Sequence, residues 1–185
     1  QLHPISAGDP LAHSTSTAST TPKSGSVSSK PGRALSTNEV RLDWSHLEQH
    51  RIVGQNVADP RSKVFDVLRT QVLQAMDQKN WKFLAVTSPT EGCGKTVTAI
   101  NLALSIARQP ERSALLVDMD LQRPAVADYL GIKCRQGVQD ILERRAALTD
   151  LIVRANADIC ELLVLPATAP TIRSSELIAS RNLDA

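Results

Sequence analysis

Apolar positions along the chain fall into two periods. In "DPRSKVFDVLRTQVLQAM" Phe65, Leu68, Val72 and Met76 recur at helical spacing, with Asp59-Pro60 ahead of them as a cap and a first-turn proline. "WKFLAVT" is a short continuous apolar run, which predicts a strand, and it leads through a glycine turn into an amphipathic helix reaching Ile106. "SALLVD" repeats the strand pattern and ends in acidic residues at its C-terminal tip. Helical patterns follow at "GVQDILERR" and "LTDLIVRA", then a strand at "ELLVLP" and a helix at "SSELIAS". Strands alternating with helices predict an α/β domain with a parallel sheet.

Ahead of this pattern the chain changes character. Residues 1–38, including "AHSTSTASTTPKSGSVSSKPG", are rich in Ser, Thr, Pro and Gly and nearly free of large apolar side chains. Such a segment buries too little surface to offset its ordering entropy, so it reads as a disordered linker before a domain over 39–185. "EVRLDWSHLEQHRIV" carries Leu42, Trp44, Leu47 and Ile52 and predicts a short docking helix. On the first long helix Lys63, Asp66 and Arg69 follow one another three apart and share a face away from the apolar stripe.

Composition narrows the function. Across 185 residues the net charge is +2 and aromatics are only 3%. That balance marks neither a nucleic-acid binder nor a strongly anionic-membrane binder, and it supplies few platforms for base stacking. Cys93, Cys134 and Cys160 are scattered without a C-x-x-C pair, which suggests a reducing, cytoplasmic setting without a zinc site or disulfide framework. All four histidines precede the predicted core, so histidine-based chemistry within it is not expected. No apolar run is long enough to span a bilayer, and no secretory signal opens the chain. The start at Gln1 and the end at "SRNLDA", inside a helical pattern, read as a fragment.

The chemistry concentrates in "VTSPTEGCGKTVTAINLA". A strand, a turn holding Gly92 and Gly94, and a helix beginning near Lys95 occur in the order a phosphate loop requires. The glycines let successive N–H groups converge, and the helix N-terminus adds its positive dipole end. Residues Glu91, Gly92, Cys93, Gly94, Lys95, Thr96 and Val97 are thus expected to cradle nucleotide phosphates. Lys95 would reach the β- and γ-phosphates and Thr96 would ligate Mg²⁺. Pro89 stands where the strict G-x-x-x-x-G-K-[ST] pattern has its first glycine. The second piece is "LLVDMDLQRP", which puts Asp118 and Asp120 at the tip of the neighbouring strand, 23 residues after Lys95. At that edge two carboxylates can hold hydrated Mg²⁺, and one can accept a proton from an attacking hydroxyl.

These stretches, with "LLVDMDLQRPAVADYLGI" and "LPATAPTIRSSELIAS", resemble the bacterial tyrosine kinases of capsule and exopolysaccharide synthesis, in the branch associated with exosortase systems. The resemblance covers roughly residues 40–185. It implies a P-loop NTPase three-layer α/β sandwich with a mainly parallel sheet, and use of ATP and Mg²⁺ in phosphotransfer to protein tyrosine. It implies Lys95 and Asp118 as catalytic residues, with Thr96, Asp118 and Asp120 on the metal side. It also implies a membrane-embedded polysaccharide chain-length determinant as partner, a homo-oligomer, and a cytoplasmic location reached through that partner.

The chain departs from the family at several points. Gln122 stands at the family's arginine two residues beyond the second Asp, with Arg123 one place later. Lys63, Asp66 and Arg69 occupy the ring-forming E-x-x-R-x-x-R positions with two charges inverted. The family's third acidic motif and C-terminal tyrosine cluster are expected beyond residue 185, and Tyr129 reads as a packing residue. Two alternatives to the kinase stand open, a kinase-inactive nucleotide-gated scaffold and a partitioning-type P-loop ATPase. Thr90, where that ATPase group carries a lysine, weighs against the second.

Overall fold

Four strands form a mixed sheet in the order β1-β3-β4-β2, in a computed structural model that describes residues 38–179. The proposed linker over 1–38 lies almost wholly outside the described residues, and so does the end of the chain from residue 180. The strands are β1 (Asn38–Arg41), β2 (Leu115–Val117), β3 (Val153–Ala157) and β4 (Cys160–Leu165). The β1–β3 and β2–β4 pairs are parallel, while β3 and β4 form an antiparallel hairpin. Among the described residues seven helices accompany them: α1 (Trp44–Gln49), α2 (Ser62–Lys79), α3 (Lys95–Ala107), α4 (Val126–Leu130), α5 (Val138–Leu142), α6 (Leu148–Leu151) and α7 (Ser174–Ile178). This is the expected α/β class, with one antiparallel pairing in an otherwise parallel sheet.

The core forms on both faces of the sheet because β4 is apolar on both from Leu162 to Leu165. Cys160, Leu162 and Val164 join Ile100 and Leu104 of α3 and Leu130 of α4 in the larger cluster. Leu165, with the opposite parity, joins Val138 and Leu142 of α5 and Leu177 of α7 in the smaller one. An apolar run without alternation is what a strand covered on two sides requires.

Three sequence expectations are corrected here. "LTDLIVRA" yields only one helical turn, α6, before the chain becomes β3. Val153, Ala155 and Ala157 are buried and Arg154 and Asn156 are not, a period of two in which β-branched Ile152 and Val153 favour the strand. The expected short docking helix is α1, but the core begins earlier than expected: β1 adds an edge strand, and Leu42, Leu47 and Ile52 are buried. His46 and His50 therefore lie against the core, with His46 Nε2 2.7 Å from the Asp128 carbonyl and the His50 ring beside Tyr129.

The third correction concerns "WKFLAVT". Residues 81–88 carry no ladder pairing, and Trp81, Phe83 and Leu84 are exposed. A strand needs a partner for its N–H and C=O groups. β2 bonds to β4, not to this segment, and a groove of about 280 Å³ lies along Leu84, Val86, Leu115 and Leu116.

Tight contacts fix α3, which carries the site. Asn101 is fully buried; its Oδ1 accepts from Val53 N–H (2.6 Å) and Gly54 N–H (2.7 Å). Its Nδ2 donates to the carbonyls of Arg51 (3.0 Å) and Val97 (2.8 Å). A Cβ on Gly54 would lie 2.2 Å from the Asn101 carbonyl oxygen, so only glycine permits this approach. Asp66 of α2 accepts from Ser105 Oγ at 2.7 Å and pairs with both Arg69 and Arg108, tying α2 to the far end of α3. Asp66 and Arg69 are thus turned inward, and of the three charges expected on one face only Lys63 is exposed.

Candidate functional site

The phosphate loop is built by two left-handed glycines. Gly92 has φ +69° and Gly94 φ +82°, and nothing lies within 4 Å of a Cβ placed on either. A side chain at these positions is disfavoured by the backbone rather than by neighbours, and both open onto free space. Gly94 is the N-cap of α3, whose first residues are Lys95, Thr96 and Val97. No side chain caps this helix, which leaves its first N–H groups available to an anion. Within the loop Ser88 Oγ donates to the Thr90 carbonyl at 2.8 Å, and the exposed Cys93 thiol lies 2.7 Å from the Thr90 hydroxyl.

The acidic turn after β2 faces this loop. Lys95 Nζ is 2.7 Å from Asp120 Oδ2, and the two groups are about one-third exposed (32% and 28%). Asp120 Oδ1 accepts from Arg123 N–H at 3.0 Å, which closes the turn. Burial pushes the Asp120 carboxyl upward, but the Lys95 hydrogen bond and charge and the Arg123 and Gln122 N–H groups outweigh it, so its pKa falls below the ordinary value. The Asp120 hydrogen bond raises the Lys95 pKa in turn. A second ion pair joins the two segments, between Arg123 on the turn and Glu91 on the loop.

Asp118 is placed differently from Asp120. It is 4% exposed, its Oδ1 accepts from Asp120 N–H, and its Oδ2 accepts from the N–H groups of Ala125 and Val126. Burial raises its pKa, against the opposing pull of these three hydrogen bonds. The carboxylate thus organises the turn and the start of α4. Sequence reasoning located both aspartates but not this division of labour, because D-x-D spacing says nothing about which side chain turns inward. It also missed the Glu91–Arg123 pair, for which opposite charge in two loops was the only available signal. Among the described residues no group of three or more His, Cys, Asp or Glu side chains is arranged to hold a metal ion.

Comparison with known proteins relates the chain to nucleotide-binding domains. Residues 84–165 match the CbiA family, described as the CobQ/CobB/MinD/ParA nucleotide binding domain. Over those residues the chain is similar to this nucleotide-binding family. Its curated relatives are bacterial tyrosine kinases. The chain is similar to the tyrosine-protein kinase YwqD of Bacillus subtilis, with 25% identity over 137 residues, 74% of this chain and 56% of that protein. It is 32% identical over 111 residues to the tyrosine-protein kinase CpsD of Streptococcus agalactiae, covering 60% of this chain and 46% of CpsD. Among solved structures, the BceF tyrosine kinase domain superposes with a TM-score of 0.61 at 25% identity, over 79% of this chain and 62% of that one. The chimerical protein CapA2B2 gives 0.59 at 27% identity, over 80% and 61%. The chain spans about half the length of these two curated relatives, 56% and 46%. No described helix is long and apolar enough to cross a membrane.

Proposed function

We propose that the chain binds ATP with Mg²⁺ and transfers the γ-phosphate to protein tyrosine, in the service of capsule or exopolysaccharide synthesis or export. The observation that carries the reading is the approach of Lys95 and Asp120, 2.7 Å apart at the mouth of the Gly92–Gly94 turn, in a chain whose relatives are tyrosine kinases. Backbone N–H groups of the loop and Lys95 would hold the phosphates, which is the main requirement of phosphoryl transfer. Thr96 and Asp120 suit Mg²⁺ bound jointly with phosphate oxygens, the usual arrangement for an ion that keeps few protein ligands. The bound metal would neutralise charge on the transferring phosphoryl group. Asp118, the candidate base or metal-water partner, also positions the turn that carries Asp120, by accepting from the N–H groups of Asp120, Ala125 and Val126. A membrane-embedded chain-length determinant and further copies of the chain are the proposed partners, on the family resemblance.

A second reading, a nucleotide-gated scaffold without turnover, is favoured by one observation: both Asp118 oxygens are already bonded and no third carboxylate joins the site among the described residues. The two readings separate when the protein is incubated with Mg²⁺, γ-labelled ATP and a tyrosine-containing acidic copolymer. Kinase function predicts label on tyrosine; bound ATP that yields neither labelled tyrosine nor free phosphate supports the scaffold.

A further inference from the structure

We propose that Arg123 is a second phosphate-binding cation of this site, and that Glu91 masks it until an incoming polyanion takes its place. The inference rests on the reading of the loop as a nucleotide-phosphate site. Four charged groups lie on two facing segments and pair crosswise, Lys95 with Asp120 and Arg123 with Glu91. These four charges cancel one another, whereas a nucleoside triphosphate needs a surplus of positive charge.

The two carboxylates are not equally free to leave. Asp120 is held by the Arg123 N–H as well as by Lys95, and its side chain is 28% exposed. Glu91 is 70% exposed and adjoins Gly92, whose surroundings are open. An exposed pair of this kind is weak, so displacing Glu91 into water costs little. The guanidinium it releases is 64% exposed and sits on a backbone anchored to Asp120 beside Lys95. Its planar fork suits bidentate contact with phosphate, which a lysine cannot reproduce. Phosphate thus replaces Glu91 on Arg123, and the site gains a cation without any large rearrangement.

The test is a double-mutant cycle on Mg-ATP affinity, read by calorimetry at low salt. Glu91→Gln should tighten binding about threefold, consistent with loss of an exposed ion pair. Arg123→Ala should weaken it about fivefold or more with an unchanged unfolding midpoint, and Arg123→Lys should recover only part of that loss. In the Arg123→Ala background Glu91→Gln should bring no gain, because its effect acts through Arg123. Equal gains in both backgrounds, or an Arg123→Ala variant with native affinity, would overturn the proposal. Failure of the unaltered chain to bind Mg-ATP would overturn the nucleotide reading with it, whereas tight binding lost only in Lys95→Ala leaves that reading intact and refutes Arg123 alone.

Discussion

Asp118 and Asp120 are two residues apart and belong to different environments. Asp118 faces inward and satisfies three backbone N–H groups, while Asp120 faces the loop and Lys95. Asp118→Ala strands those N–H groups in a buried turn and should cost about 3 kcal/mol, read from urea unfolding. The pH dependence follows from the directions of the shifts. The Asp120 pKa is lowered, so its contribution is present above the ordinary value of 3.8 and is lost as pH falls through its folded pKa. The Asp118 pKa is raised, so in the window just above 3.8 it takes up a proton in the folded state first and stabilises the fold as pH falls. Asp118→Asn removes that opposing uptake, and stability should then decline more steeply on acidification than in the unaltered chain. An unchanged slope would contradict the environment described for Asp118.

At the scale of elements, α3 is the beam on which the site rests, and its fixings are polar as well as apolar. Asn101→Ala removes the partner of two N–H groups and two carbonyls in a fully buried place. A loss of about 2–4 kcal/mol is expected, measured as a lower urea midpoint with the slope preserved. α3 itself was legible in the sequence, since Gly94, Lys95 and the amphipathic run to Ile106 state its start, chemistry and length. The site loop was legible for the same reason: glycines at 92 and 94 are required by local backbone geometry. β3 was not, because Leu151, Ile152 and Val153 satisfy a helical and an extended period equally until Ala155 and Ala157 are weighed. β1 escaped notice because an edge strand of four residues with a single apolar one, Val40, carries almost no periodic signal. The inward turn of Asp66 and Arg69 was hidden too, since helical spacing places residues on a face without saying what packs against it. Ser105 and Arg108 supply that answer from 39 and 42 residues away from Asp66.

In the molecule as a whole, the sheet, α3 and the acidic turn bring Lys95 and Asp120 together from positions 25 residues apart in the chain. The larger core cluster holds α3 against β4, and the β2–β4 pairing continues into the Asp118 N–H bond to the Leu165 carbonyl at 3.0 Å. The loop and the turn are thus anchored to one framework, which positions charges more accurately than two free loops could. Residues 81–88, which lead into the loop, lie outside the ladder, so the loop's position is set from its α3 side. The central claim is that this framework presents a nucleotide-phosphate site at Lys95. Its most direct test is a calorimetric titration of the chain and of Lys95→Ala with Mg-ATP, with both unfolded in urea as a control. The account predicts saturable binding by the unaltered chain, no detectable binding by the variant, and closely similar unfolding midpoints. Equal affinity in the two proteins would contradict it.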